Sequence, residues 1–322
     1  MTHKVIHKPD PKDILEAADR IKGFVNHTPV MSSRFINGIV NAHVFFKCEN
    51  FQKVGAFKAR GAINAVLSMA SDQKACGVAT HSSGNHAQAL SFAASGINVP
   101  AYVVMPSNSS RVKVDAVKGY GGKITFCEPT LEAREETLRQ VIRETGATEI
   151  HPYNNLRIIA GQATAALELI HEINDLDMIF APVGGGGLLS GTALATHYFH
   201  TEAQVIGAEP DQANDAYLSF TQKRFIPSVN PVTIADGLRT SLGPITFPII
   251  LDHVHSIVTV SEESIVNAMR MIWERMKIII EPSSAVPVAA LLKKTIDYKG
   301  KRIGVILSGG NVDLDQLPWK KF

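Results

Sequence analysis

Short apolar runs rich in Val, Ile, Phe and Ala recur along the chain, separated by segments whose apolar residues return every three or four positions. The runs at 43–49, 77–82, 101–105, 123–127, 178–183, 205–209, 257–260 and 302–307 have the length and β-branched content of strands covered on both faces. The segments at 59–69, 86–94, 112–118, 131–144, 161–173 and 188–200 read as helices. Ser261, followed by Glu262 and Glu263, marks a further helix start: a hydroxyl cap with acids in the first turn. Repeated strand–helix alternation builds parallel sheets flanked by helices, an α/β fold. In such sheets ligands bind where strand ends meet helix starts, so the βα turns are where chemistry is to be sought.

Three of these turns are unusual. Gly184, Gly185, Gly186 and Gly187 follow one strand directly and precede a helix. A turn without side chains lets several backbone amides converge on one anion at a helix N-terminus. A tight turn alone needs one or two glycines; four favour a phosphate. The spacing departs from the dinucleotide pattern, whose last glycine would fall on Leu189 or Ser190, and no lysine makes it a P-loop. Glu209, about 20 residues on, keeps a nicotinamide oxidoreductase open as an alternative. The second turn, Ser82-Ser83-Gly84-Asn85-His86, sets two hydroxyls, an amide and an imidazole beside helix-start amides, a set able to grip a carboxylate. The third, Ser308-Gly309-Gly310-Asn311, closes the last strand and reads equally well as a plain glycine turn. Lys58, after Gly55-Ala56-Phe57, is not distinguished by spacing from Lys47 or Lys53.

Composition narrows the function classes. The 322 residues suffice for two lobes, and 45% hydrophobic with 19% charged residues is ordinary for a globular protein. A formal net charge of +2 argues against nucleic acid or an anionic membrane as partner. The window 178–196 carries no charge, yet Pro182 and its glycines exclude a continuous spanning helix. Cys48, Cys76 and Cys127 are too scattered for a disulfide framework or zinc site, and residues 1–8 lack a signal peptide's apolar core, so a cytoplasmic protein is expected.

Taken together, Phe46-Lys-Cys-Glu-Asn50, Gly55-Ala-Phe-Lys58, Ser82-Ser-Gly-Asn-His86, the four glycines, Ala235-Asp-Gly237 and Ser308-Gly-Gly-Asn-Val-Asp313 resemble the fold type II pyridoxal-phosphate enzymes. The similarity is to the serine racemase and serine/threonine dehydratase family, closest to its racemase branch, and runs from about Ile14 to about Asp313. It implies a tryptophan synthase β-like fold of two lobes, each with a mainly parallel sheet: a large lobe, 1–76 with 154–322, and a small mobile lobe, 77–153. It implies pyridoxal 5′-phosphate joined to Lys58 as a Schiff base and packed by Phe57. The phosphate would lie on Gly184, Gly185, Gly186 and Gly187, the ring hydroxyl on Asn85 and the pyridine nitrogen on Ser308, with Gly237 beside it. Ala56 stands where the family more often has serine.

The same resemblance places the substrate, a small hydroxy-amino acid such as serine, against Ser82, Ser83, Asn85, His86, Arg134 and Thr240. Ser83 is the discriminating position, since simple threonine dehydratases carry alanine there. Lys58 and Ser83 would then serve opposite faces of the α-carbon. Glu209, the Ala213 carbonyl and Asp215 resemble a Mg²⁺ or Ca²⁺ site. Asn26, Ser32, Ser33, Lys53 and Lys113 fall in regions corresponding to a nucleotide site, which admits ATP as an activator. A homodimer is the family expectation. The expected activity is serine racemisation with L-serine/L-threonine dehydration, the alternatives being a 3-hydroxyaspartate ammonia-lyase and a non-catalytic phosphate-ligand binding protein.

Overall fold

The structure, a computed structural model, describes residues 8–200 and 202–319. Residues 1–7, read above for a signal peptide, lie outside that range. Among the described residues, ten strands form two sheets. They are β1 (Val30–Met31), β2 (His43–Cys48), β3 (Val78–His81), β4 (Ala101–Pro106), β5 (Lys123–Cys127), β6 (Thr148–Glu149), β7 (Met178–Pro182), β8 (Gln204–Pro210), β9 (Ser256–Val260) and β10 (Arg302–Leu307). The six-stranded sheet has the order β1-β2-β10-β7-β8-β9, and the four-stranded sheet β5-β4-β3-β6. All pairings are parallel except β1 with β2. The eight expected strands are present; the two-residue β1 and β6 are too short to carry an alternating pattern.

The large sheet is buried on both faces, as its continuous apolar strands require. Phe46, Phe180 and Val305 pack with the helices Glu262–Met276 and Pro282–Leu292 on one side. Ile179, Val205 and Ile306 pack with the helices Leu156–Glu172 and Gly187–Phe199 on the other. Burying Phe46 and Phe180 stabilises the fold by about 1.5–3 kcal/mol each.

One helix boundary differs from expectation in a way that matters for the site. The helix expected to begin at 161 begins at Leu156, because the Asn155 side chain accepts from the amides of Arg157 (2.9 Å) and Ile158 (3.1 Å). This helix crosses Lys58–Leu67 at two glycines: a Cβ on Gly161 would lie 2.6 Å from Gly61 Cα. The helix that starts with Lys58 is thereby held against the one that follows residues 151–155.

Candidate active site

The strand ends deliver the expected motifs to one place, beginning with Lys58. Residues 55–57 run antiparallel to 308–310: Ala56 bridges Gly309, the Phe57 amide donates to Ser308 O (3.0 Å), and the Gly310 amide donates to Gly55 O (2.9 Å). This pairing of segments from opposite ends of the chain sets Lys58 beside the end of β10. The glycines of that turn serve close approach, since a Cβ on Gly309 would lie 2.8 Å from Glu281 Oε1 and one on Gly310 2.8 Å from Ile279 O. The Lys58 ammonium donates to Pro152 O (2.7 Å) and stands 5.1 Å from the Phe57 ring centroid. Burial pushes its pKa down to about 8, against the opposing pull of the Glu281 carboxylate. An amine so placed exists in both protonation states near neutral pH.

The glycine turn has the features of an anion site. Among the described residues, the amides of Gly184, Gly185 and Gly186 find no acceptor, and no side chain caps the helix Gly187–Phe199. Each glycine also has a packing reason. A Cβ would lie 2.8 Å from Leu238 Cα at Gly184, 2.2 Å from the Tyr153 ring at Gly185 and 2.9 Å from Tyr153 Cβ at Gly187. Gly186 is left-handed at φ 85°. The turn itself needs one left-handed glycine, Gly186, as expected; close contacts account for the other three, while the amides of Gly184, Gly185 and Gly186 stay free among the described residues.

Asn85 opens the helix Asn85–Ser95 and reaches across to Glu281, its Nδ2 lying 2.9 and 3.1 Å from the two carboxylate oxygens. Its Oδ1 accepts from Asn311 Nδ2 (2.9 Å). Burial, then nearby Asp236, raises the Glu281 pKa to about 8. Ser308 is buried, and the Gly237 amide donates to Ser283 Oγ (3.1 Å), two residues past Glu281. The segment 281–283 thus ties together the turns carrying Asn85, Gly237 and Gly309.

Ser82 Oγ accepts from the Gly84 amide (3.3 Å), and Ser83 is partly exposed at the same turn. His86 is buried with Nε2 2.9 Å from Ile150 O; burial, then Lys58, depresses its pKa to about 3. Arg134 lies in the first turn of the helix Leu131–Thr145, within electrostatic reach of His81. Thr240 Oγ1 is 2.9 Å from the Tyr153 hydroxyl.

Glu209 and Asp215 are both buried, and among the described residues neither carboxylate has a cationic partner. Glu209 accepts from the amides of Ala216 (3.0 Å) and Tyr217 (2.8 Å), while both Asp215 oxygens lack a well-formed hydrogen bond. Burial raises both pKa values, that of Asp215 to about 6 against the weaker opposing pull of nearby Ser228. Two buried carboxylates without a cationic partner on either side of Ala213, one of them with both oxygens open, suit a hard cation. No group of three or more His, Cys, Asp or Glu side chains able to hold a metal occurs among the described residues, so carbonyls and water would complete such a shell.

The nucleotide-region residues are less clearly joined. The amides of Asn26 (2.8 Å) and Lys53 (2.9 Å) both donate to Gln52 Oε1. Ser33 caps the helix Arg34–Val40, and Ser32 beside it is exposed. Lys113 pairs instead with Asp236 (2.5 Å).

Sequence reasoning missed Glu281 and the turn 151–155. His151, Pro152 and Tyr153 follow the two-residue β6 and precede a helix that starts at 156 rather than at the expected 161. The Asn155 cap was the readable signal.

This arrangement of free helix-start amides, a part-buried lysine with a lowered pKa and a closing Ser-Gly-Gly turn fits an aldehyde cofactor bearing a phosphate, and the chain belongs to the pyridoxal-phosphate dependent enzyme family, which matches residues 21–309. Within that family it is 50% identical over 311 residues to the beta-hydroxyaspartate dehydratase of Paracoccus denitrificans, covering 97% of this chain and 99% of that protein. The crystal structure of serine racemase from Dictyostelium discoideum superposes with a TM-score of 0.91 at 47% identity, covering 95% of this chain and 99% of that one. The crystal structure of T.th. threonine deaminase gives 0.90 at 39% identity, covering 95% and 99%. The fold is accordingly that of a fold type II pyridoxal-phosphate enzyme, and the chain is an enzyme of this class. No helix among the described residues is long and apolar enough to cross a membrane.

Proposed function

We propose that the chain is a serine racemase that also eliminates water from L-serine and L-threonine. The observation that carries the proposal is the part-buried Lys58 amine, lowered to about 8 and near enough to His86 to depress that imidazole, His86 lying on the same turn as Ser83. The glycine turn would hold the cofactor phosphate, Asn85 the ring hydroxyl and Ser308 the ring nitrogen. Bound there, pyridoxal phosphate supplies a sink for the electrons left when the α-carbon loses its proton. Lys58 takes that proton, its depressed pKa matching the working pH. Ser82, the amides of its turn, His86 and Arg134 hold the substrate carboxylate. Ser83 returns a proton to the opposite face, giving D-serine; loss of the β-hydroxyl gives pyruvate and ammonia.

Asp215, Glu209 and the Ala213 carbonyl would bind Mg²⁺ or Ca²⁺, and the Asn26–Ser33–Lys53 region with Lys113 would receive ATP. Residues 77–153 would move as a small lobe against the rest, with the Lys113–Asp236 and Asn85–Glu281 contacts spanning the cleft. The assembly is a homodimer and the compartment the cytoplasm.

A second reading, 3-hydroxyaspartate ammonia-lyase, is favoured by the 50% identity to the Paracoccus denitrificans protein. Incubation with L-serine in deuterated water separates the two. Racemisation leaves α-deuterated D-serine beside pyruvate, and Ser83→Ala abolishes the D-serine while sparing elimination from L-serine. Equal loss of both removes the role of Ser83. Turnover confined to 3-hydroxyaspartate replaces the first reading with the second.

A further inference from the structure

The turn 151–155 touches Lys58, the glycine turn and the segment 240–246 at once. Pro152 O receives the Lys58 ammonium, and the next residue, Tyr153, lays its ring directly on Gly185. Its hydroxyl lies 2.9 Å from Thr240 Oγ1. The turn is fixed from within and from outside. His151 Nδ1 accepts from the amides of Tyr153 (3.4 Å) and Asn154 (3.0 Å), and Asn154 Oδ1 accepts from the Ile245 amide (2.9 Å). The phenol is therefore held in one orientation, with its polar end at a partly exposed threonine.

We propose that Tyr153 is the acid that protonates the hydroxyl leaving the substrate β-carbon, with Thr240 orienting it. This rests on the hydroxy-amino-acid reading of the site. Lys58 handles the proton on the α-carbon. The leaving oxygen sits on the next carbon, so its donor belongs beside the carbonyl that receives Lys58, where Tyr153 is. In the step, the Cβ–O bond breaks with its electron pair on oxygen, the phenol proton passes to that oxygen and water departs. The electrons left at the α-carbon close the Cα–Cβ double bond. The phenolate then regains a proton from solvent through Thr240.

The neighbouring imidazoles are poorer candidates. Burial, together with Lys58 nearby, keeps His86 and His151 neutral, with pKa values of about 3 and about 4. His86 Nε2 and His151 Nδ1 are already engaged by main-chain groups. Burial raises the Tyr153 pKa against the opposing hydrogen bond with Thr240, so the phenol carries its proton at neutral pH.

Tyr153→Phe retains the ring on Gly185 and removes only the proton. L-Serine, whose hydroxide needs that proton, is compared with β-chloro-L-alanine, whose chloride leaves without one. Pyruvate formation from serine falls by ~100-fold or more, the usual worth of a general acid, while that from β-chloroalanine and α-proton exchange in deuterated water persist. Thr240→Val shows the same selective loss in milder form. Melting temperature and the visible absorbance of the bound cofactor stay as in the parent protein. Parallel loss on both substrates in both variants makes the pair merely structural and overturns the proposal, as does undiminished elimination from serine. A parent enzyme that converts neither substrate removes the hydroxy-amino-acid reading, and this proposal with it.

Discussion

Arg60, two residues beyond Lys58, is fully buried and makes five hydrogen bonds. It reaches Glu49 through Nε (2.7 Å) and Nη2 (2.8 Å), Glu168 through Nη1 (2.6 Å) and Nη2 (2.8 Å), and Thr164 Oγ1 (3.2 Å). Lys47, also buried, completes a neutral group of four charges by pairing with Glu168 (2.6 Å) and donating to Thr28 O (2.7 Å). Arg60→Met leaves Glu49, with no exposed surface, supported among the described residues only by the Thr28 hydroxyl (2.5 Å). Removing one partner of a buried pair costs about 3–5 kcal/mol, because the remaining charge stays desolvated. At ~2 °C per kcal/mol for a chain of this size, the melting temperature should fall by ~6–10 °C. Adding Glu49→Gln removes the stranded charge, so the double variant should recover part of the loss. Arg60→Lys keeps the charge but not the fork and should fall between. Calorimetry of the cofactor-free protein measures all three. A loss under ~1 kcal/mol in Arg60→Met, or strictly additive losses in the double variant, would refute the argument.

Two further outcomes follow from buried acids. Ca²⁺ or Mg²⁺ should raise the melting temperature of the parent protein, and Asp215→Asn should abolish that response while stabilising the cation-free form, since it removes one of two carboxylates without a cationic partner; an unchanged cation response in the variant counts against the site. Glu281 has a folded pKa raised from 4.5 to about 8, so its stabilising contribution is complete below 4.5 and lost as pH rises through about 8. Denaturant titrations of the cofactor-free protein between those values should show that decline, and Glu281→Gln should flatten it.

The strand and helix alternation was legible because it depends only on local apolar periodicity, and eight strands appear where that period placed them. Family motifs singled out Lys58, which no local pattern distinguishes from Lys47. The structure explains the difference: Lys47 is consumed by Glu168 and Thr28, whereas Lys58 meets a carbonyl at the open end of the sheet. Glu281 and Tyr153 were not legible, because neither has a local signature. A glutamate before a proline reads as a helix entry, and a tyrosine between two short elements reads as a loop. Their roles come from Asn85, 196 positions from Glu281, and from Gly185 and Thr240 around Tyr153. Sequence alone determined the α/β alternation and the four-glycine turn, which follow from residue type and short spacing, while the class of chemistry came from the resemblance of several motifs in family order. Tertiary structure alone decided which buried acids stay without a cationic partner, which lysine escapes an ion pair and which tyrosine packs on the glycine turn. Those properties depend on desolvation and contact between segments that share no local pattern.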